Sequence, residues 1–149
     1  MSQQFAIVWH ARGLLIDGFL VTLWLTVLSA AASLVLGALL AMLLMSRNRL
    51  VAGVSALVVD AMRCVPFLLF AYIVYYGLPS IGLQFSNWTS GLFALIVYNT
   101  CYMAELLRGA WRGLPDEMIE AGHAFGFSGF GLVRRIILPP VIFAAIPLI

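Results

Sequence analysis

The chain has 149 residues, of which 64% are hydrophobic and 9% charged, with eight arginines, six acids and a net charge of +2. A soluble domain carries nearer 25% charged residues and could not hide this much apolar surface, so the composition excludes an ordinary soluble domain and makes the bilayer the solvent. There is no lysine, which excludes a phosphate-cradling P-loop, and the small net charge offers no basic face for nucleic acid.

Residues 1–17 are short and mixed, with Arg12 the one firm positive charge. They do not read as a cleavable signal peptide, because the apolar run that follows, Gly18 to Met45, is far longer than a signal core. At 1.5 Å per residue that run gives roughly 42 Å, more than the ~30 Å hydrocarbon core requires, and predicts the first span. Ser29, Ser33, Gly37 and Ala41 recur every fourth residue and mark a stripe of small side chains for close helix packing. An alanine-rich membrane helix also generates such spacings by composition alone.

Arg47 and Arg49 precede a second span, Val51 to Leu78. Its uncharged part, Cys64 to Leu78, covers only about 22 Å, so Asp60 and Arg63 fall near the hydrocarbon boundary and can pair at i,i+3. Such a pair is a functional candidate; a structural pair facing neighbouring helices near the headgroups accounts for the same residues. Pro66 predicts a kink. Tyr72, Tyr75, Tyr76 and Trp88 suit an interfacial belt, and Gly77 to Gly82 reads as turn material. A third span is expected from about Ser90 to Leu107, closing on Glu105 and Arg108, again at i,i+3. Cys64 and Cys101 have no metal or disulfide-framework spacing and read as small membrane-buried side chains.

The connection at Ser46 to Ser55 holds two arginines, the one at Pro79 to Trp88 none, and the segment after the third span four. This alternation predicts arginine-rich loops in the cytoplasm and the N-terminus outside.

The segment from about Arg108 to Pro140 concentrates the polar chemistry, with four arginines and three acids. Pro115 suits the first position of a helix whose first turn then carries Asp116 and Glu117, where the helix dipole favours negative charge. Gly126 closes that helix with a residue able to adopt positive φ, and Ser128 is placed to cap a second, Gly129 to Leu138, which Pro139-Pro140 should stop. The last apolar run, Ile136 to Ile149, gives about 21 Å if helical and is interrupted by prolines, too short to span as it stands.

Within that segment the residues Glu120-Ala121-Gly122, Gly126, Ile136, Leu138 and Pro139 carry a spacing that resembles the "EAA" loop of bacterial ABC importer permeases. Tyr102, Ala104, Glu105, Arg108 and Gly109 are similar to the Y-x-A-E-x-x-R-G of the polar amino-acid uptake branch. Arg63-Cys64-Val65-Pro66 and Tyr75-Tyr76-Gly77-Leu78-Pro79 resemble that branch's F-R-G-T-P and Y-Y-G-L-P, with Cys64-Val65 in place of glycine and threonine. Gly122 replaces the second alanine of the EAA motif.

The resemblance implies an all-α, polytopic transmembrane helix bundle, a single permease domain placed in the bacterial inner membrane. It implies that the loop docks a separate ATPase subunit, so that Glu120, Ala121, Gly122, Gly126, Ile136, Leu138 and Pro139 are the coupling residues. The expected partners are ABC ATPase subunits, a second permease subunit, identical or homologous, an extracytoplasmic solute-binding protein and membrane lipid. The cargo would be a small polar solute, an amino acid by branch, moved by alternating access. The family continues into further spans, so the chain is expected to correspond to roughly the first two-thirds of a permease.

Two other classes share parts of this pattern. An ATP-independent secondary transporter or channel needs ionisable groups deep in its spans, for which Asp60, Arg63, Glu105 and Arg108 are the candidates. A DNA-binding helix-turn-helix shares the turn glycine and the basic second helix of the loop but not the flanking membrane spans. His10 and His123 assemble with no serine, acid or cysteine set, so no catalytic residue, metal site or cofactor is expected.

Overall fold

The computed structural model describes residues 11–83 and 85–145, and what is expected of His10, the N-terminal tail and Pro147 lies outside these residues. Every regular element among the described residues is helical: α1 (Arg12–Leu44), α2 (Arg49–Cys64), α3 (Phe67–Tyr72), α4 (Leu78–Ser80), α5 (Asn87–Arg112), α6 (Asp116–Ala124), α7 (Gly129–Leu132) and α8 (Leu138–Ala145). Two π-helical turns, Ile73–Gly77 and Val133–Ile137, join α3 to α4 and α7 to α8.

Helices α1 and α5 are each long and apolar enough to cross a bilayer, and they form the central pair. Ser29, Ser33, Gly37, Ala41 and Leu44 are the buried residues of α1, so the small-residue stripe is a packed face. It faces α5, where Cys101, Ala104 and Leu107 are buried with Ala41 and Leu44 of α1. Contact is close enough that a Cβ on Gly37 would lie 2.7 Å from the Met103 Cβ and 3.2 Å from the Ala104 amide nitrogen. Hydroxyls on the remaining faces of α1 turn back on their own helix, Thr22 and Thr26 each donating to a carbonyl four residues earlier at 2.8 Å. Lipid offers such groups no partner, which is why this local bond forms.

The second expected span is not one kinked helix. Helix α2 ends at Cys64, Val65 is extended at ψ 127°, and α3 restarts after Pro66 with the axis bent by 99°, a broken span or a re-entrant loop. Proline lacks the N–H a continuing helix needs and drives the preceding residue out of the helical region, so a complete break replaces the kink. The third span also differs from its expected limits. Ser86 accepts the Thr89 N–H at 3.2 Å and starts the helix early, and α5 runs on to Arg112, so Glu105 and Arg108 lie within it and do not close it.

Candidate functional site

Helix α6 begins after Pro115, which is extended at ψ 136° and occupies the capping position, one residue before the first helical position expected for it. Asp116 and Glu117 fill the first turn as the dipole argument requires. At the other end Gly126 adopts φ +82°. The Phe127 N–H donates to the Gly122 carbonyl at 3.1 Å and the Gly126 N–H to that of His123 at 2.9 Å. This pair of bonds is the Schellman closure, and it satisfies carbonyls the helix end would otherwise leave bare.

Beyond the turn two expectations change. Ser128 stands at the cap of α7, but its hydroxyl makes no capping bond; its carbonyl accepts the Gly131 and Leu132 N–H groups instead. The helix also does not stop at Pro139-Pro140. The π turn at Val133–Ile137 widens the backbone just before the two prolines, and α8 continues through them to Ala145. A widened turn relieves the clash between a proline ring and the preceding carbonyls, which a regular helix cannot do. The same device precedes Pro79, where the other π turn lies.

Loop and spans share one core. Leu132, Ile137 and Val141 are buried with Ala41 of α1 and Leu107 of α5, and Trp111, Ile119, Phe127 and Ile136 pack around them. Gly122 is buried at the crossing of α6 with this arm, where an added Cβ would stand 2.6 Å from the end of the Leu132 side chain. The departure from the EAA spacing is thus the residue that lets α6 sit closest to its neighbour. Glu120, Ala121, Gly126 and Pro139 are exposed, while Ile136 and Leu138 are half-buried. One turn beyond Ala121 stands Phe125, 83% exposed, and on α7 Phe130 is 68% exposed. The motif residues therefore split between an outward face and an inner face fixed to α1 and α5. Arg135 caps the Phe127 ring at 5.8 Å, and His123 is exposed at the end of α6.

The four ionisable residues of the spans come together. Arg108 holds both oxygens of Glu105, its Nε at 2.8 Å from Oε2. Glu105 also lies 3.8 Å from Arg63, which is 3.8 Å from Asp60. The two i,i+3 pairs are present, and the contact between Glu105 and Arg63 joins them across α5 and α2, which the sequence spacing did not reveal. Two tyrosines meet at this junction, Tyr98, which sequence reading did not single out, and Tyr102, which it named only as a motif residue. The break at Val65-Pro66 frees carbonyls of α2, and Tyr98 donates to that of Val65 at 3.2 Å while Tyr102 donates to that of Arg63 at 3.4 Å. Tyr102 also lies under the Arg63 guanidinium at 5.6 Å. Their spacing of four residues facing a proline-broken helix was the available signal. A cleft of 490 Å³ opens here, lined in part by Ser33, Arg63, Asn99, Tyr102 and Glu105. Cys64 is exposed on the chain's surface at the broken end of α2, while Cys101 is buried with Leu44 of α1 and Val59 of α2. Among the described residues no three metal-binding side chains cluster.

Known proteins resemble this chain. Residues 33–149 match the family described as binding-protein-dependent transport system inner membrane component. The chain belongs to this family. Among curated relatives, the probable glutamine ABC transporter permease protein GlnM of Bacillus subtilis is 31% identical over 131 residues, 88% of this chain and 61% of its own length. The glutamine transport system permease protein GlnP of Escherichia coli K12 is 29% identical over 141 residues, 93% and 64% of the two lengths. The histidine/lysine/arginine/ornithine transport system permease protein HisM of the same organism is 34% identical over 140 residues, 87% and 59%. The fold matches a solved crystal structure of an amino acid ABC transporter with histidines at a TM-score of 0.84 and 26% identity, covering 97% of this chain and 67% of that one. The chain thus spans about three-fifths of the length of the curated relatives it matches.

Proposed function

We propose that this chain is the membrane-spanning part of an ABC importer permease for a small polar solute, an amino acid, driven by a separate ATPase subunit. One observation carries the reading: Glu120 and Ala121 face outward while Gly122, on the same helix, packs on Leu132 and Ile136 of the arm, whose Leu132 and Ile137 share a core with α1 and α5. A push on the exposed face has no slack to absorb it, so it moves the spans, which is the element alternating access needs. The exposed Phe125 and Phe130 give a docking partner apolar surface, and Glu120 gives it a charge to pair. The family's description, a component of binding-protein-dependent transport, supports a partner that delivers the solute. It also favours this reading over an ATP-independent transporter or channel. A second permease subunit completes the assembly, the lobe faces the cytoplasm and the N-terminus is outside, by the arginine distribution.

The test is a photo-crosslinker at Ala121 in cells that take up labelled amino acid. A nucleotide-binding subunit captured there, and not from the same probe at Leu23 on the exposed face of α1, is the expected result. Uptake that persists with no ATPase captured at Ala121 refutes the reading.

A further inference from the structure

Between α1, the loop end of α5 and the arm formed by α7 and α8 runs a groove of 370 Å³, within the range of about 300–1,000 Å³ usual for small-molecule sites. Leu34, Leu107 and Ile142 are among its walls, and Trp111 and Arg134 line it too. Arg134 is the one charged residue of the lining. It has no hydrogen bond or ion pair among the described residues, whereas its neighbour Arg135 is spent on the Phe127 ring. The indole N–H of Trp111 is also without a partner among the described residues. The acids of the lobe, Asp116, Glu117 and Glu120, are all on α6 and none lines the groove.

The walls argue against a helix as occupant. Helices in a bilayer approach one another on small residues, and only Ala38 and Ala41 of the lining are small. What remains on this side is mainly branched and aromatic, a surface for a flexible chain. An apolar groove whose lining includes an unpaired guanidinium and an indole donor fits an amphiphile with an anionic head. We propose that the groove binds an anionic phospholipid, one acyl chain between α1 and α8 and the phosphate on Arg134.

The test uses the full chain in bilayers with Trp111 as its sole tryptophan, Trp9, Trp24 and Trp88 being replaced by phenylalanine. Dibrominated phosphatidylglycerol should quench Trp111 at about fivefold lower mole fraction than dibrominated phosphatidylcholine, the preference expected of one arginine at the surface. Arg134→Gln should erase the preference while quenching by phosphatidylcholine persists. Ala38→Phe, which narrows the groove, should reduce quenching by both lipids. Equal quenching by the two lipids at the outset overturns the proposal, as does a preference that survives Arg134→Gln. So does a Trp111 shielded from both lipids, because protein would then occupy the groove.

Discussion

Replacing Gly37 by alanine adds one methyl group at the tightest point of the α1–α5 contact. Its Cβ would stand 2.7 Å from the Met103 Cβ and 2.8 Å from its Cγ, where carbon atoms prefer about 3.5–4.0 Å. Neither atom is the free end of a side chain, and the Ala104 amide nitrogen at 3.2 Å is backbone, so relief requires the two helices to separate by about 1 Å. Overpacking of this kind costs about 1–3 kcal/mol, against which alanine returns up to about 1 kcal/mol of helix propensity. Gly18 supplies the control on the same helix, because an added Cβ there meets nothing within 4 Å and only the propensity gain remains. Gly37→Ala should therefore lower unfolding stability in bicelles while Gly18→Ala leaves it unchanged or raised, a separation of about 1–3 kcal/mol. If Gly37→Ala proves as stable as Gly18→Ala, the small-residue stripe is not what sets the approach of these helices.

Three further outcomes are expected. Glu105 anchors both Arg108 and Arg63, so Glu105→Gln should cost about 1.5–3 kcal/mol, whereas Asp60→Asn, removing a carboxylate 62% exposed and 3.8 Å from Arg63, should cost under about 1 kcal/mol. A double-mutant cycle of Glu105→Gln with Arg63→Ala that shows no coupling energy contradicts the shared network. Glu120→Lys and Gly126→Val should leave insertion intact and reduce ATPase pull-down; for Gly126 the cause is a β-branched residue forced to φ +82°, a strain of about 1–2 kcal/mol. Wild-type recruitment by both variants removes the lobe from the coupling role. Cysteine at Ser86 should react with an impermeant thiol reagent from outside and cysteine at Ser128 should not, and the reverse pattern inverts the proposed orientation.

The parts legible in the sequence are those decided within a few residues. The four-residue stripe of α1, the i,i+3 ion pairs, the acids in the first turn of α6 and the positive φ at Gly126 each follow from local geometry. What escaped was set by neighbours far along the chain or by the prolines' freedom to be accommodated in more than one way. Pro66 and Pro139-Pro140 carry the same local prohibition, yet one site breaks the chain by 99° and the other is absorbed by a π turn. At Pro66 the freed carbonyls find Tyr98 and Tyr102 on another helix, while at Pro139 the arm stays packed on α1 and α5 through Ile137 and Val141. Gly122 illustrates the same limit, since its small volume is legible but the Leu132 side chain that demands it lies ten residues on.

Those tyrosines join the break to the rest of the molecule, and the consequence can be tested. From the lobe, Leu132 and Ile137 reach Leu107 of α5; beside it Arg108 and Glu105 reach Arg63, and Tyr102 and Tyr98 hold the carbonyls of Arg63 and Val65. Spatial contiguity alone does not make a coupling path; a path requires that loosening one link changes the response at the far end. The hydroxyls are the links to loosen. Removing both through Tyr98→Phe and Tyr102→Phe keeps the rings that pack on Phe67 and Arg63, but leaves two carbonyls at a helix break without their donors, at about 1 kcal/mol or more each. The lobe is untouched, so ATPase recruitment should stay at the wild-type level. Given the proposed function, the double variant should hydrolyse ATP while moving less solute per ATP, because the break no longer follows α5. Uptake and hydrolysis falling in the same proportion would mean the tyrosines merely stabilise the fold. An unchanged ratio with unchanged rates would mean the break moves independently of α5.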